Sequence, residues 1–145
     1  MSLIRAAIIG LAALLASSFL EAKTSIASPD GRIVFALSTN AQDRTVYSVT
    51  FDGKEVISES RLGLRFREQK GFDAGFELKE AARQSVDETW EQPWGERRFV
   101  RDHHNELLAQ FADAEGRKLN LRIRVFDDGL GFRYEVPEQI GRAHV

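Results

Sequence analysis

The sequence predicts an all-β protein, an antiparallel β-sandwich, and three observations carry that prediction. Apolar and polar residues alternate with a period of two through most of the chain. Turn residues recur at close intervals, and beyond the N-terminal stretch no segment sustains a convincing helical period.

The elements follow in order. Ile33, Phe35 and Leu37 alternate with Val34, Ala36 and Ser38, as a two-faced strand requires. Val46 to Phe51 and Val56-Ile57 flank Asp52-Gly53, a pair that tolerates the positive φ angles of a tight hairpin turn. Leu62, Leu64 and Phe66 alternate with Gly63, Arg65 and Arg67, which predicts a further strand with one wet face. Phe76 and Leu78 open another; Glu77 to Gln84 is compatible with a helical turn, but strand and then loop is the reading adopted. Leu107 to Phe111 forms a run that Ala114-Glu115-Gly116-Arg117 ends. Leu119, Leu121, Ile123 and Val125 alternate with Asn120, Arg122, Arg124 and Phe126, the cleanest strand in the chain. Asp127-Asp128-Gly129 resembles a metal loop but reads better as hairpin chemistry, turning the chain into Leu130 to Val136.

The two ends read differently from the body. Met1 to Arg5 carries one positive charge, Ala6 to Leu20 is apolar and uncharged, and Glu21-Ala22-Lys23 restores polarity. This order predicts a secretory signal peptide over residues 1–22, cleaved after Ala22, with Ala27 as a second candidate. The apolar run is shorter than the ~20 residues that cross a bilayer, so no stable membrane anchor is expected. The protein is therefore expected to be exported, to a bacterial periplasm or the medium. At the other end, Ile140-Gly-Arg-Ala-His-Val145 is what a common sequencing-library adapter gives on translation, and the strand pattern breaks off at Pro137-Glu138-Gln139. Residues 140–145 are accordingly read as an artefact, with a native polar tail as the competing view. The domain is then 23–139, its gene continuing further.

Composition narrows the function. With 43% hydrophobic and 29% charged residues the chain can bury a core rather than stay disordered. A net charge of -2 leaves no basic footprint for nucleic acid. The absence of cysteine excludes disulfides, thiolate metal sites and lipoprotein anchoring. Neither a phosphate-binding glycine loop nor a Gly-x-Ser-x-Gly elbow is present.

One segment concentrates the residues that could do chemistry. Trp90-Glu-Gln-Pro-Trp94-Gly-Glu96 and Arg101-Asp-His-His-Asn-Glu106 hold both tryptophans and two of the three histidines. Pro93 and Gly95 make the first half a loop. Indole faces suit the apolar face of a sugar ring, and carboxylates and amides suit its hydroxyls. Trp90, Trp94, Glu96, His103, Asn105 and Glu106 are thus the candidate substrate-binding residues. Core plugging by the two tryptophans is the plainer alternative. Neighbouring His103 and His104 would face opposite ways on a strand, so no metal site is assigned, and the carboxylates lack a dedicated calcium loop.

These residues, taken together, resemble the N-terminal domain of glycoside hydrolase family 97. The resemblance runs through Ser28-Pro-Asp-Gly31, Tyr47-Ser-Val-Thr-Phe-Asp-Gly-Lys-Glu-Val-Ile57 and Ser60-Arg-Leu-Gly-Leu64. It continues through Ser85-Val-Asp-Glu-Thr-Trp90, Pro93-Trp-Gly-Glu96, Arg101-Asp-His-His-Asn-Glu-Leu107, Leu119 to Gly129 and Phe132-Arg-Tyr-Glu135. It implies an exported, calcium-dependent α-glucosidase or α-galactosidase with a β-super-sandwich, a catalytic (β/α)8 barrel and a small β domain. Two carboxylates on the barrel would act on an oligosaccharide or other α-glycoside. This chain would be an incomplete super-sandwich without catalytic residues, inactive alone. No calcium ligand is assignable within it. Its partner would be the catalytic barrel of the same polypeptide, on which it packs. A free-standing carbohydrate-binding module and a purely structural sandwich are the alternatives.

Overall fold

The computed structural model describes residues 24–137, so the expected signal peptide with Ala22 and the 140–145 segment lie outside it. Eight strands form two four-stranded antiparallel meanders. The first holds β1 (Thr24–Ala27), β2 (Ile33–Thr39), β3 (Thr45–Phe51) and β4 (Lys54–Arg61). The second holds β5 (Phe76–Glu91), β6 (Phe99–Asp113), β7 (Lys118–Val125) and β8 (Leu130–Glu135). The described chain is all-β, as the alternation predicted.

Local chemistry sets the turns. Asp52 and Gly53 take φ values of 49° and 74°, closing a two-residue hairpin between Phe51 and Lys54. At Ser28-Pro29-Asp30-Gly31, the Ile33 amide donates to Ser28 Oγ at 3.0 Å and the Arg32 amide to Asp30 Oδ1 at 3.0 Å. The Asp30 amide in turn donates to Asp127 Oδ1 at 2.8 Å, so the β7–β8 turn is fastened to the first sheet.

Between the sheets, Phe35 and Leu37 of β2 face Leu107 and Ala109 of β6 and Leu121, Ile123 and Val125 of β7 in one apolar core. β1 stacks on β6 and β2 on β7. Tyr47 of β3 meets Phe132 of β8 edge to face, with ring centroids 5.5 Å apart. The sheets are therefore out of step by one strand, and β4 and β5 overhang at opposite ends. Ile26 of β1 belongs to this core, so cleavage after Ala27 would remove a core residue along with the whole of β1.

Two expectations need correction. Leu62 to Phe66 is not a strand: Leu62 is buried within the core and Leu64 makes only an isolated bridge with Phe72. The loop expected after Leu78 is instead continuous strand to Glu91, broken only by an irregularity between Leu78 and Glu80. Glu80-Ala-Ala-Arg-Gln84 has poor strand propensity, yet its backbone pairs residue for residue with β6, and that pairing overrides local preference.

Candidate functional site

The strand register distributes the six candidate residues over three places. Leu107, Ala109 and Phe111 point into the core, so the odd positions of β6 lie on the inner face and the even positions on the outer face. His103 and Asn105 are thus inward, while His104 and Glu106 are outward. Trp90 pairs with Val100 and shares the outer face with them. Trp94 and Glu96 sit on the connection between β5 and β6. Of the first half expected as a loop only residues 92–98 turn, and the rest of the segment is strand. The two adjacent histidines face opposite ways and share no ligand geometry.

Both tryptophans are exposed: Trp90 at 48% and Trp94 at 84%. Neither is buried in the core that the described residues form. They belong to a ribbon that outruns its sheet. β7 pairs with β6 only from Asn105 to Ala112, whereas β5 and β6 stay paired to Glu91 and Phe99. A lone pair of strands is marginal in water, and polar pairs fasten this one. Arg101 forks onto Asp87 at 2.7 and 2.8 Å, and its guanidinium holds the Asp87 carboxyl below the usual carboxylate range. Arg98 Nε donates to Glu91 Oε1 at 2.6 Å, and Gln92 Nε2 donates to the Arg97 carbonyl at 2.7 Å across the tip. Phe99 is exposed beside them, with the Arg98 guanidinium 5.4 Å from its ring centre.

Glu106 and Asn105 are engaged within the domain. Glu106, 2% exposed, accepts from Arg122, from Arg124 Nε at 2.7 Å and from Gln84 Nε2 at 3.0 Å. Burial pushes its carboxyl up, but hydrogen bonds from Arg124 and Arg122 outweigh that and hold it below its ordinary value. Arg122 extends the network to Glu135 of β8 at 2.7 Å. Asn105 donates to the Ala27 carbonyl at 2.9 Å and accepts from Ser85 Oγ at 2.6 Å, tying β6 to the edge of β1. His103 Nδ1 lies 3.9 Å from Asp127 Oδ2.

His104 was not among the six candidate substrate-binding residues. It is buried on the outer face against Phe126, with ring centroids 4.9 Å apart, and its Nδ1 meets Asp102 Oδ1 at 2.5 Å. Its Nε2 is buried without a partner among the described residues. The i, i+2 spacing of Asp102 and His104 was the available signal, because alternate residues of a strand are neighbours on one face. Among the described residues no three His, Asp or Glu side chains gather closely enough to hold a metal ion.

The comparisons with known proteins bear on this arrangement. Residues 26–145 match the family profile described as "Glycosyl-hydrolase 97 N-terminal". A glycoside hydrolase family 97 enzyme of Pseudoalteromonas sp. strain K8, solved in complex with panose and with acarbose, is 40% identical to this chain with a TM-score of 0.75. A solved β-arabinopyranosidase is 26% identical, with a TM-score of 0.73. Each match covers 81% of this chain, but only 18% of the first enzyme and 19% of the second. The chain spans less than a fifth of these proteins.

Proposed function

The chain belongs to the glycosyl-hydrolase 97 family through the N-terminal domain of that family, and on that premise we propose that it is the front part of an exported α-glycosidase. In this reading the sandwich packs on a catalytic barrel supplied by the rest of the polypeptide and shapes one side of its pocket. The bond-breaking carboxylates and the expected calcium belong to that barrel. The present chain binds and orients but does not cleave.

One observation carries the pocket-shaping role: the β5–β6 ribbon projects past its own sheet and ends in exposed Trp90, Trp94 and Phe99. Exposed indoles on a narrow ribbon gain little from the domain they belong to. They gain from covering an apolar surface or the face of a sugar ring. The family 97 enzyme bound to panose and acarbose supports an oligosaccharide as the ligand of the complete protein.

The test is the complete polypeptide assayed on 4-nitrophenyl α-glucoside and α-galactoside. Hydrolysis of one of them is expected, with this chain alone inactive. Joint replacement of Trp90 and Trp94 by alanine should lower kcat/KM by about tenfold, some 1.4 kcal/mol of transition-state stabilisation. A complete polypeptide that cleaves neither substrate would overturn the reading. A second reading, a self-sufficient carbohydrate-binding module, draws on the same exposed tryptophans. Titrating the chain with maltose or melibiose while following tryptophan fluorescence decides it, since no change up to millimolar sugar removes the module.

A further inference from the structure

Three Asp-Gly pairs, Asp30-Gly31, Asp52-Gly53 and Asp128-Gly129, sit in the turns of this chain. Such pairs suit turns because of their backbone freedom, and the same freedom opens a covalent route. With no Cβ on the glycine, its backbone nitrogen can reach Cγ of the preceding aspartic acid. Attack forms an N–Cγ bond, and the carboxyl hydroxyl leaves with the amide proton as one molecule of water. The product is a five-membered succinimide. Water then adds at one of its two ring carbonyls. Breaking the bond at Cγ restores aspartate, whereas breaking the bond at the main-chain carbonyl leaves the chain running through Cβ and Cγ, as isoaspartate. The water lost in the first step is regained in the second, so no other reactant is needed.

The fold restrains two of these pairs. At Asp30 both reacting groups are occupied. The carboxylate accepts from Ser28 Oγ at 2.5 Å and from the Arg32 amide at 3.0 Å, and the Gly31 amide donates to the Ser28 carbonyl at 2.9 Å. Asp52 is gripped by a fork, with Arg32 Nε donating to Oδ1 at 2.9 Å and Nη2 to Oδ2 at 2.8 Å. The Ser28 hydroxyl and the Arg32 guanidinium respectively hold the two carboxyls below their ordinary value. They stay ionised, and a carboxylate has no hydroxyl to lose.

Asp128 has neither restraint. It is exposed at the tip of the β7–β8 turn. The carboxylate that ties this turn to the first sheet belongs to its neighbour Asp127, which accepts from the Asp30 amide at 2.8 Å. Among the described residues the Asp128 side chain has no hydrogen-bond or ion-pair partner. The turn is closed by the Phe126 amide donating to the Gly129 carbonyl at 2.7 Å, and among the described residues the Gly129 amide makes no return bond. A Cβ placed on Gly129 would meet no atom within 4 Å, so the space around that nitrogen is open.

We propose that Asp128 is a site of covalent isomerisation in the folded protein, converting to isoaspartate while hydrogen bonds preserve Asp30 and Asp52. The charge is kept, because the α-carboxylate becomes the side group, but the main chain gains one carbon. That carbon lies next to Asp127, whose Oδ1 fastens the β7–β8 turn to Asp30. Conversion therefore loosens the turn from the first sheet. The inference stands apart from the glycosidase reading, since it uses only the three turns.

Peptide mapping of the complete polypeptide, aged at neutral pH, tests it. Trypsin places the three pairs in separate peptides, 24–32, 45–54 and 125–133. Isoaspartate is labelled with an L-isoaspartyl methyltransferase and located by electron-transfer fragmentation. It should accumulate in 125–133 at least ~10-fold faster than in the other two, the rate that one charge-assisted hydrogen bond is worth. Ageing in heavy-oxygen water should add one labelled oxygen to the product. In urea the three peptides should convert at similar rates. Gly129→Ala, which the open space accommodates, should suppress conversion without changing Tm. Arg32→Ala should raise the rate in 45–54, because it frees Asp52. Equal rates at the three sites in the folded protein overturn the proposal. So does a 125–133 peptide that converts in urea but not when folded, or isoaspartate that forms at Asp127 instead.

Discussion

The two halves of β6 follow opposite rules. From Leu107 to Phe111 the odd residues are buried between two sheets, and their apolar surface holds the sandwich together. From Phe99 to Glu106 the buried residues, His104 and Glu106, are polar and lie on the outer face. One half derives its order from removing hydrocarbon from water, the other from ion pairs and hydrogen bonds that water competes for. Elements available for contact with other molecules come from the second kind, where internal packing is thin.

The largest effect that would sharpen this contrast is Leu107→Ala. Leu107 is fully buried, and its truncation should cost about 2–5 kcal/mol, much of the 5–15 kcal/mol that such a domain has. Urea unfolding followed by circular dichroism measures it. A loss below 1 kcal/mol would break the distinction between the halves.

Glu106→Gln should cost less, about 1–3 kcal/mol, because Arg122 and Arg124 retain access to water once the charge is removed. Its pH dependence is more telling. The folded carboxyl titrates below its ordinary value of 4.5, so its stabilisation is complete above that value. It is lost as pH falls through the depressed folded pKa. Acid unfolding curves for the native chain and Glu106→Gln should therefore converge as pH drops below about 4.5, and parallel curves would contradict the network.

Trp94→Ala sits at the small end. It should change the stability of this chain by no more than ~0.5 kcal/mol, since the side chain is almost wholly in solvent. Thermal unfolding in the two backgrounds would check this, and a drop comparable to that of Leu107→Ala would show the ribbon to be part of the core.

Much of the body was legible in the residues. Leu119 to Val125 alternates so cleanly that its inward set coincides with four core positions, and Asp52-Gly53 carries the turn its composition requires. Leu62 to Phe66 shows the limit, because alternation over five residues fits an irregular segment that buries Leu62 and bridges at Leu64 equally well. Of the candidate site, the residue types were visible but their grouping was not. Asn105 and Glu106 are neighbours in sequence, yet one caps the edge of β1 and the other anchors two arginines on the opposite face.

By itself the sequence determined the strand class, the turns and the family, because these depend on alternation, on turn residues and on motifs in order along the chain. Only the tertiary structure decided which strand stacks on which and that the ribbon outruns its sheet. Those features depend on the one-strand offset between two sheets, and an offset is a relation between distant segments. No local pattern of side chains encodes it.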